Sequence, residues 1–368
     1  MKMNLTDLIV GRIRKNNGIS FRDYMDMALY HDDLGYFTSS IRSIGKRGDF
    51  FTSPFVSSAF GAMIGRQIEE FRKQIRGDFT IIEYGAGTGL LCYDILEYLK
   101  TNCEGFNSIS YVIVEKSSVL TKISQRYMGS QVIWIDDINK LGKVNGCVIS
   151  NELFDNFPVH RLIWQNQQFK EVFVDYQQGF AEILKSAKEE IADVLEFDHV
   201  DFPEGFCIEV CEDALQWYKN VSRVLNSGYI VTIDYGYLLD QLLQQQWSHG
   251  TIRCYYKHQV NFDPYQRPGE QDITSDVNFS SLSYWGSKYG FKLAGYVSQN
   301  NFLRALGFIP YLSDMNDSDE NKIYAFTTLL NQMGKKFKVL IQQKNLPFVP
   351  LTGLAFQHPE EKKMCLTV

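Results

Sequence analysis

The chain has 368 residues, a formal charge of -6 and 45% hydrophobic residues, which suffices for one large domain with insertions or for two domains; we expect the first. So mild an acidic charge gives no basic footprint for nucleic acid, and no apolar run approaches the roughly 20 residues of a membrane span, so neither a nucleic-acid partner nor membrane insertion is expected. Charges interrupt any signal-like core in residues 1–18, and the seven dispersed cysteines sit mostly in apolar patterns as reduced thiols do, which points to a cytoplasmic protein.

In chain order, Leu5, Leu8, Ile9 and Ile13 recur at helical spacing, and Ser20 can cap a second helix carrying Tyr24, Met25, Met27, Ala28 and Leu29. A polar, aromatic stretch runs from Asp32 through Gly48-Asp49-Phe50-Phe51-Thr52-Ser53-Pro54. It is too long for a simple connection and reads equally as a surface loop or a binding loop. Residues 55–74 form an amphipathic helix. The β-rich run Phe79-Thr80-Ile81-Ile82-Glu83-Tyr84 then breaks into Gly85-Ala86-Gly87-Thr88-Gly89 and a helix that starts at Leu90. Tyr111-Val112-Ile113-Val114 ends in Glu115, Val132-Ile133-Trp134-Ile135 ends in Asp136-Asp137, and Gly146-Cys147-Val148-Ile149-Ser150 ends in Asn151-Glu152.

From Arg161 the pattern alternates (Leu162, Trp164, Phe169, Val172, Val174), as in a hairpin, and a helix follows over 185–195. Residues 160–206 read as an insertion. A helix over 212–225 and the strand Tyr229-Ile230-Val231-Thr232-Ile233 resume the sheet, and 238–278 read as a second insertion. A helix over 279–289 and strands over 291–298 and 322–329 complete seven strands. The expected organisation is an N-terminal helical and loop segment (1–76) packed over the site, a sheet domain (77–330), and an extension (331–368) with a basic helix over 333–342. Cys207 and Cys211 lack a second pair at zinc spacing, so no metal site is expected.

The glycine turn between a strand and a helix has the layout of a nucleotide-binding βα unit, in which glycines supply positive φ and close backbone approach. Leu90 stands where the dinucleotide fingerprint requires its third glycine, which argues against a dehydrogenase. Glu115, an acid at the end of the second strand, is placed to hold ribose hydroxyls. In an open α/β sheet the ligand lies outside the carboxyl ends of the strands, so all these polar ends would converge on one crevice.

This set suits S-adenosylmethionine. The turn at Gly85, Gly87 and Gly89 approaches the methionine part and Glu83 its ammonium; Glu115 takes the ribose, Asp136 the adenine amino group, the Asp137 amide a ring nitrogen, and Asn151 closes the edge. Any one of these acids could be a solvated or dipole-favoured loop residue; their order along the chain carries the reading. If the chain is helical after Asn151, Glu152 and Asp155 share a face and can grip a guanidinium or ammonium as catalytic carboxylates. Equally, Asn151 could cap a short helix with acids in its first turn. His160 beside Arg161 reads as a packing or surface pair.

At these residues the sequence resembles the MidA-like S-adenosylmethionine-dependent methyltransferases, relatives of a mitochondrial complex I assembly arginine methyltransferase. The resemblance rests on Ile19-Ser20-Phe21, Ala28-Leu29-Tyr30-His31, Gly48-Asp49-Phe50 with Thr52-Ser53-Pro54, Phe60-Gly61 and Glu83 through Gly89. It continues in Asn151-Glu152-Leu153-Phe154-Asp155, Asp234-Tyr235-Gly236-Tyr237, Pro268-Gly269 and Asp272-Ile273-Thr274. It implies an α/β, Rossmann-like seven-stranded methyltransferase fold with N-terminal helices and inserted segments. It further implies N-methylation of arginine in a protein substrate, a respiratory complex I subunit or similar protein, with Asp49, Phe50, Thr52 and Ser53 on the substrate side. Phe55 and Asn278 stand where the family commonly carries Glu and Asp, and each loses a carboxylate. A non-enzymatic assembly protein that retains the fold is the alternative.

Overall fold

The computed structural model describes residues 4–39, 52–125, 132–192, 200–244, 249–358 and 361. Two compact units interleave along the chain. The sheet unit comprises Phe51–Leu153, Trp217–Gly236 and Leu282–Val368, and the other Met1–Phe50, Phe154–Gln216 and Tyr237–Ser281. The N-terminal 1–76 is therefore not one segment, because its last part, including the helix Ser58–Gln74, belongs to the sheet unit.

The sheet unit is built on seven strands: β1 Phe79–Tyr84, β2 Ile109–Val114, β3 Val132–Ile135, β4 Val144–Asn151, β5 Leu225–Tyr237, β6 Lys292–Ser298 and β7 Phe337–Lys344. Their order is β6-β7-β5-β4-β1-β2-β3. The β3-to-β5 half is parallel, and β7 runs antiparallel between β5 and β6. Runs such as Tyr111 to Val114 and Cys147 to Ile149 are buried at successive positions, as strands covered on both faces must be. On one face the helix Ser58–Gln74 packs against Leu90–Asn102, and only glycine allows the approach: a Cβ on Gly61 would lie 2.4 Å from Asp94 Cβ. Phe71 of the first helix stacks on Tyr229 of β5 with ring centroids 4.0 Å apart.

The last strand departs from expectation. Residues 322–329 are helical, lying in the helix Asp319–Phe326 and the wide turn Thr327–Gln332, with Ser318 capping the Asn321 amide. The segment expected as a basic helix instead holds most of β7, so 331–368 is not an appendage: β7 pairs with both of its neighbours. Its Phe337, Val339 and Ile341 enter the core, and that burial outweighs the helix propensity of its lysines.

The second unit holds the helices Leu5–Asn16 and Phe21–Tyr30, the latter capped by Ser20, whose Oγ accepts the Asp23 amide at 3.1 Å. An antiparallel sheet combines Ile19–Ser20, His160–Gln165, Gln168–Tyr176, Phe180–Ser186 and Cys207–Val210. A three-stranded sheet holds Arg253–Tyr256, Gln259–Asn261 and Asp272–Thr274. Both expected insertions thus belong to this unit's fold. The helix expected over 185–195 reduces among the described residues to Glu189–Ala192, because Phe180–Ser186 takes a place in the sheet.

Candidate functional site

The carboxyl ends of β1, β2, β3 and β4 carry the polar residues singled out from the sequence. After β1, Gly85, Gly87 and Gly89 all have positive φ (66°, 55° and 82°), which turns the chain sharply into the helix Leu90–Asn102. A Cβ on Gly85 would lie 3.0 Å from Leu153 Cδ1, so the turn packs beneath the loop that follows β4.

Glu83 is 2% exposed, and its Oε2 accepts the Tyr111 hydroxyl at 2.6 Å. Burial pushes its carboxyl up to about 7; the Tyr111 bond pulls it down, and Glu115 adds a smaller upward push. Glu115 is partly buried and accepts the Ser117 amide at 2.8 Å. Burial again dominates and raises its carboxyl to about 7 against the pull of the Ser117 and Lys116 amides. Two acids close to neutrality at adjacent strand ends are a recurrent mark of a binding site.

Asp136 is different. Its side chain is 62% exposed and pairs with Lys140 at 2.5 Å, which holds it below the usual carboxylate range. Asp137 accepts the Asn139 amide at 2.9 Å and starts the short turn Ile138–Lys140.

At the end of β4 the conditional helix does not form. Glu152 has φ +53°, a left-handed conformation that costs a non-glycine residue about 1–2 kcal/mol. Phe154–Asn156 is a separate turn in the other unit. There Asp155 is 4% exposed and its carbonyl accepts the Ser275 amide at 2.9 Å. Glu152 and Asp155 therefore do not share a helical face, and Asn151 caps no helix. The Asn151 Nδ2 donates to Glu152 Oε1 at 3.1 Å, which fixes the amide's orientation and leaves its buried Oδ1 without a partner among the described residues.

On the expected substrate side, Asp49 and Phe50 lie outside the described residues. Thr52 precedes the helical turn Ser53–Val56 without capping it through its side chain. Ser53 is fully buried, with its amide donating to Glu152 Oε1 at 3.3 Å and its hydroxyl to Gln299 Oε1 at 3.4 Å. Its evident task is internal support.

Sequence reasoning gave no role in the site to three supporting residues: Tyr111, Ser117 and Asp234. Tyr111 carried a signal, since a hydroxyl in an otherwise aliphatic buried strand needs a partner. Asp234, fully buried at the end of β5, accepts the Leu153 amide at 3.2 Å and the Tyr235 amide at 2.9 Å. Its neighbour Ile233 accepts the Glu152 amide at 2.9 Å.

The donor set fits S-adenosylmethionine. A glycine turn of positive φ, acids beside it that suit an ammonium and a ribose diol, and an orphaned buried carbonyl at Asn151 are groups of the kind the cofactor would satisfy.

Comparison with known proteins agrees. A family model whose description reads "Putative S-adenosyl-L-methionine-dependent methyltransferase" matches residues 63–297. The mitochondrial protein arginine methyltransferase NDUFAF7 of Homo sapiens is 27% identical, covering 94% of this chain and 84% of its own. Its counterpart in Xenopus tropicalis is 26% identical over 91% and 84%. A solved structure from Burkholderia thailandensis, bound to S-adenosyl-homocysteine, superposes with TM-score 0.85 at 28% identity and covers 96% of this chain and 95% of its own.

Proposed function

The chain belongs to the S-adenosyl-L-methionine-dependent methyltransferase family, with S-adenosylmethionine as its methyl donor, and from that premise we propose that it methylates arginine nitrogen in a protein substrate. The observation that carries the proposal is the edge formed by β1, β2 and β4. Neutral-poised acids and a glycine turn at one end suit the cofactor, and a tethered carboxylate at the other suits a cationic acceptor.

Glu83 would face the cofactor's ammonium, Glu115 its ribose hydroxyls, Asp136 and Asp137 the adenine edge, and Gly85, Gly87 and Gly89 would let the backbone approach. Bound there, the cofactor supplies a methyl group on a positively charged sulfur. The chain's work is then alignment and exclusion of water. Glu152 offers a carboxylate, held by the Ser53 amide and Asn151 Nδ2, which matches the donors and the charge of a guanidinium. The acceptor nitrogen must give up a proton as it takes the methyl group, and the Glu152 carboxylate would favour that proton's departure. The mitochondrial relatives, named as protein arginine methyltransferases, support the choice of arginine, and a complex I subunit or similar protein is the proposed class of acceptor. The six cysteines among the described residues are all unpaired, which supports placing the protein in the reducing cytoplasm.

Gly87→Val tests the cofactor half. A β-branched residue at φ +55° strains the turn, so calorimetry should show S-adenosylhomocysteine binding to the wild type and its loss in the variant. Undiminished binding by Gly87→Val would sink the assignment. Binding by the wild type without methyl transfer to any protein would instead indicate an assembly protein.

A further inference from the structure

We infer that Asp234 is a positioning residue: together with the Ile233 carbonyl it locks Glu152 in its left-handed conformation, so that the carboxylate is presented to the acceptor in one fixed direction. The inference rests on the proposed role of Glu152 and adds what holds that residue in place.

Only φ and ψ of Glu152 set the direction of its Cα–Cβ bond relative to the sheet, and they lie between the peptide plane that carries the Glu152 amide and the one that carries the Leu153 amide. Both amides are held by consecutive residues of one rigid strand. The Glu152 amide donates to Ile233 O at 2.9 Å, and the Leu153 amide donates to Asp234 Oδ2 at 3.2 Å. Fixing both planes fixes both torsions. Without that hold, a glutamate has no reason to stay at φ +53°, which an L side chain disfavours. The far end of the side chain is tied as well, because Glu152 Oε1 accepts the Ser53 amide at 3.3 Å and Asn151 Nδ2 at 3.1 Å.

Asp234 is suited to this work by chemistry. Each of its two oxygens accepts a backbone amide, Oδ1 from Tyr235 and Oδ2 from Leu153, in a fully buried setting. An asparagine has only one oxygen to offer, so in Asp234→Asn one amide would face an NH2 group, donor against donor. β5 is paired with both β4 and β7, so the strand end itself does not yield, and the change falls on the Leu153 side. Strain that the surrounding structure over-determines is characteristic of functional positions.

The test is a double-mutant cycle on the full chain. Turnover is read as S-adenosylhomocysteine released with lysate of a strain lacking the gene, and S-adenosylhomocysteine affinity is measured by calorimetry on the same samples. Asp234→Asn should lower kcat by about thirtyfold while the affinity stays within about twofold, and Asp234→Asn added to Glu152→Gln should cost almost nothing further. A merely structural role would give losses that multiply. If Asp234→Asn does not bind S-adenosylhomocysteine, Asp234→Glu, which keeps both oxygens but moves them by one methylene, carries the same cycle. Losses that multiply, or full turnover by the Asp234 variant while Glu152→Gln is impaired, would overturn the positioning role and leave the reading of Glu152 intact. Full turnover by Glu152→Gln would overturn both.

Discussion

At the scale of single residues, the acids at the strand ends have different characters, and the difference has measurable consequences. Glu83 and Glu115 are raised to about 7, chiefly by burial, whereas Asp136 is exposed and held low by Lys140. For a carboxyl whose folded value lies above its unfolded one, the protein alone is more stable at low pH and loses stability as pH rises toward 7. A cationic ligand beside Glu83 reverses the preference, because it favours the ionised form. Binding of S-adenosylmethionine should therefore release a proton and tighten by up to about tenfold per unit between about pH 5.5 and about pH 7. Calorimetry in buffers of different ionisation enthalpy reads that proton, and Glu83→Gln should abolish its share of the slope. A wild-type affinity independent of pH would remove Glu83 from the cofactor's neighbourhood. Glu152→Gln, which keeps the shape and loses the charge, should lower turnover about a hundredfold with cofactor affinity retained.

Among the elements, β1, its glycine turn and the strands ending at Glu115, Asp136 and Asn151 were legible because each is a local pattern: an apolar run, a break, a polar end. The turn at Glu152 was not. Its left-handed φ depends on Ile233 and Asp234, some eighty residues away, and no local signal of Asn151 to Asp155 carries that tether. β7 was missed for a related reason. Lys335, Lys336 and Lys338 give its neighbourhood a helix-like composition, and its strand character comes from pairing with β5 and β6. If β7 is integral, Ile341→Ala, at a fully buried core position, should lower unfolding free energy by about 2–5 kcal/mol in urea titration. In a dispensable extension the same change would cost less than about 0.5 kcal/mol.

For the molecule as a whole, the seven-strand path β6-β7-β5-β4-β1-β2-β3, with its antiparallel β7, sits in one unit, and the N-terminal helices and both inserted stretches build the other. The residues proposed to hold the cofactor, Glu83 to Asn151, all fall in the sheet unit. Leu90, in place of a third glycine, already separated this turn from a dinucleotide site. No helix among the described residues is long and apolar enough to cross a membrane. Incubating the protein with methyl-labelled S-adenosylmethionine and lysate of a strain lacking the gene, and locating the label by tandem mass spectrometry, tests the choice of acceptor directly. We predict label on arginine side-chain nitrogen of a protein, absent with Gly87→Val. Label on any other side chain, or none on protein while S-adenosylhomocysteine still binds, would contradict the account.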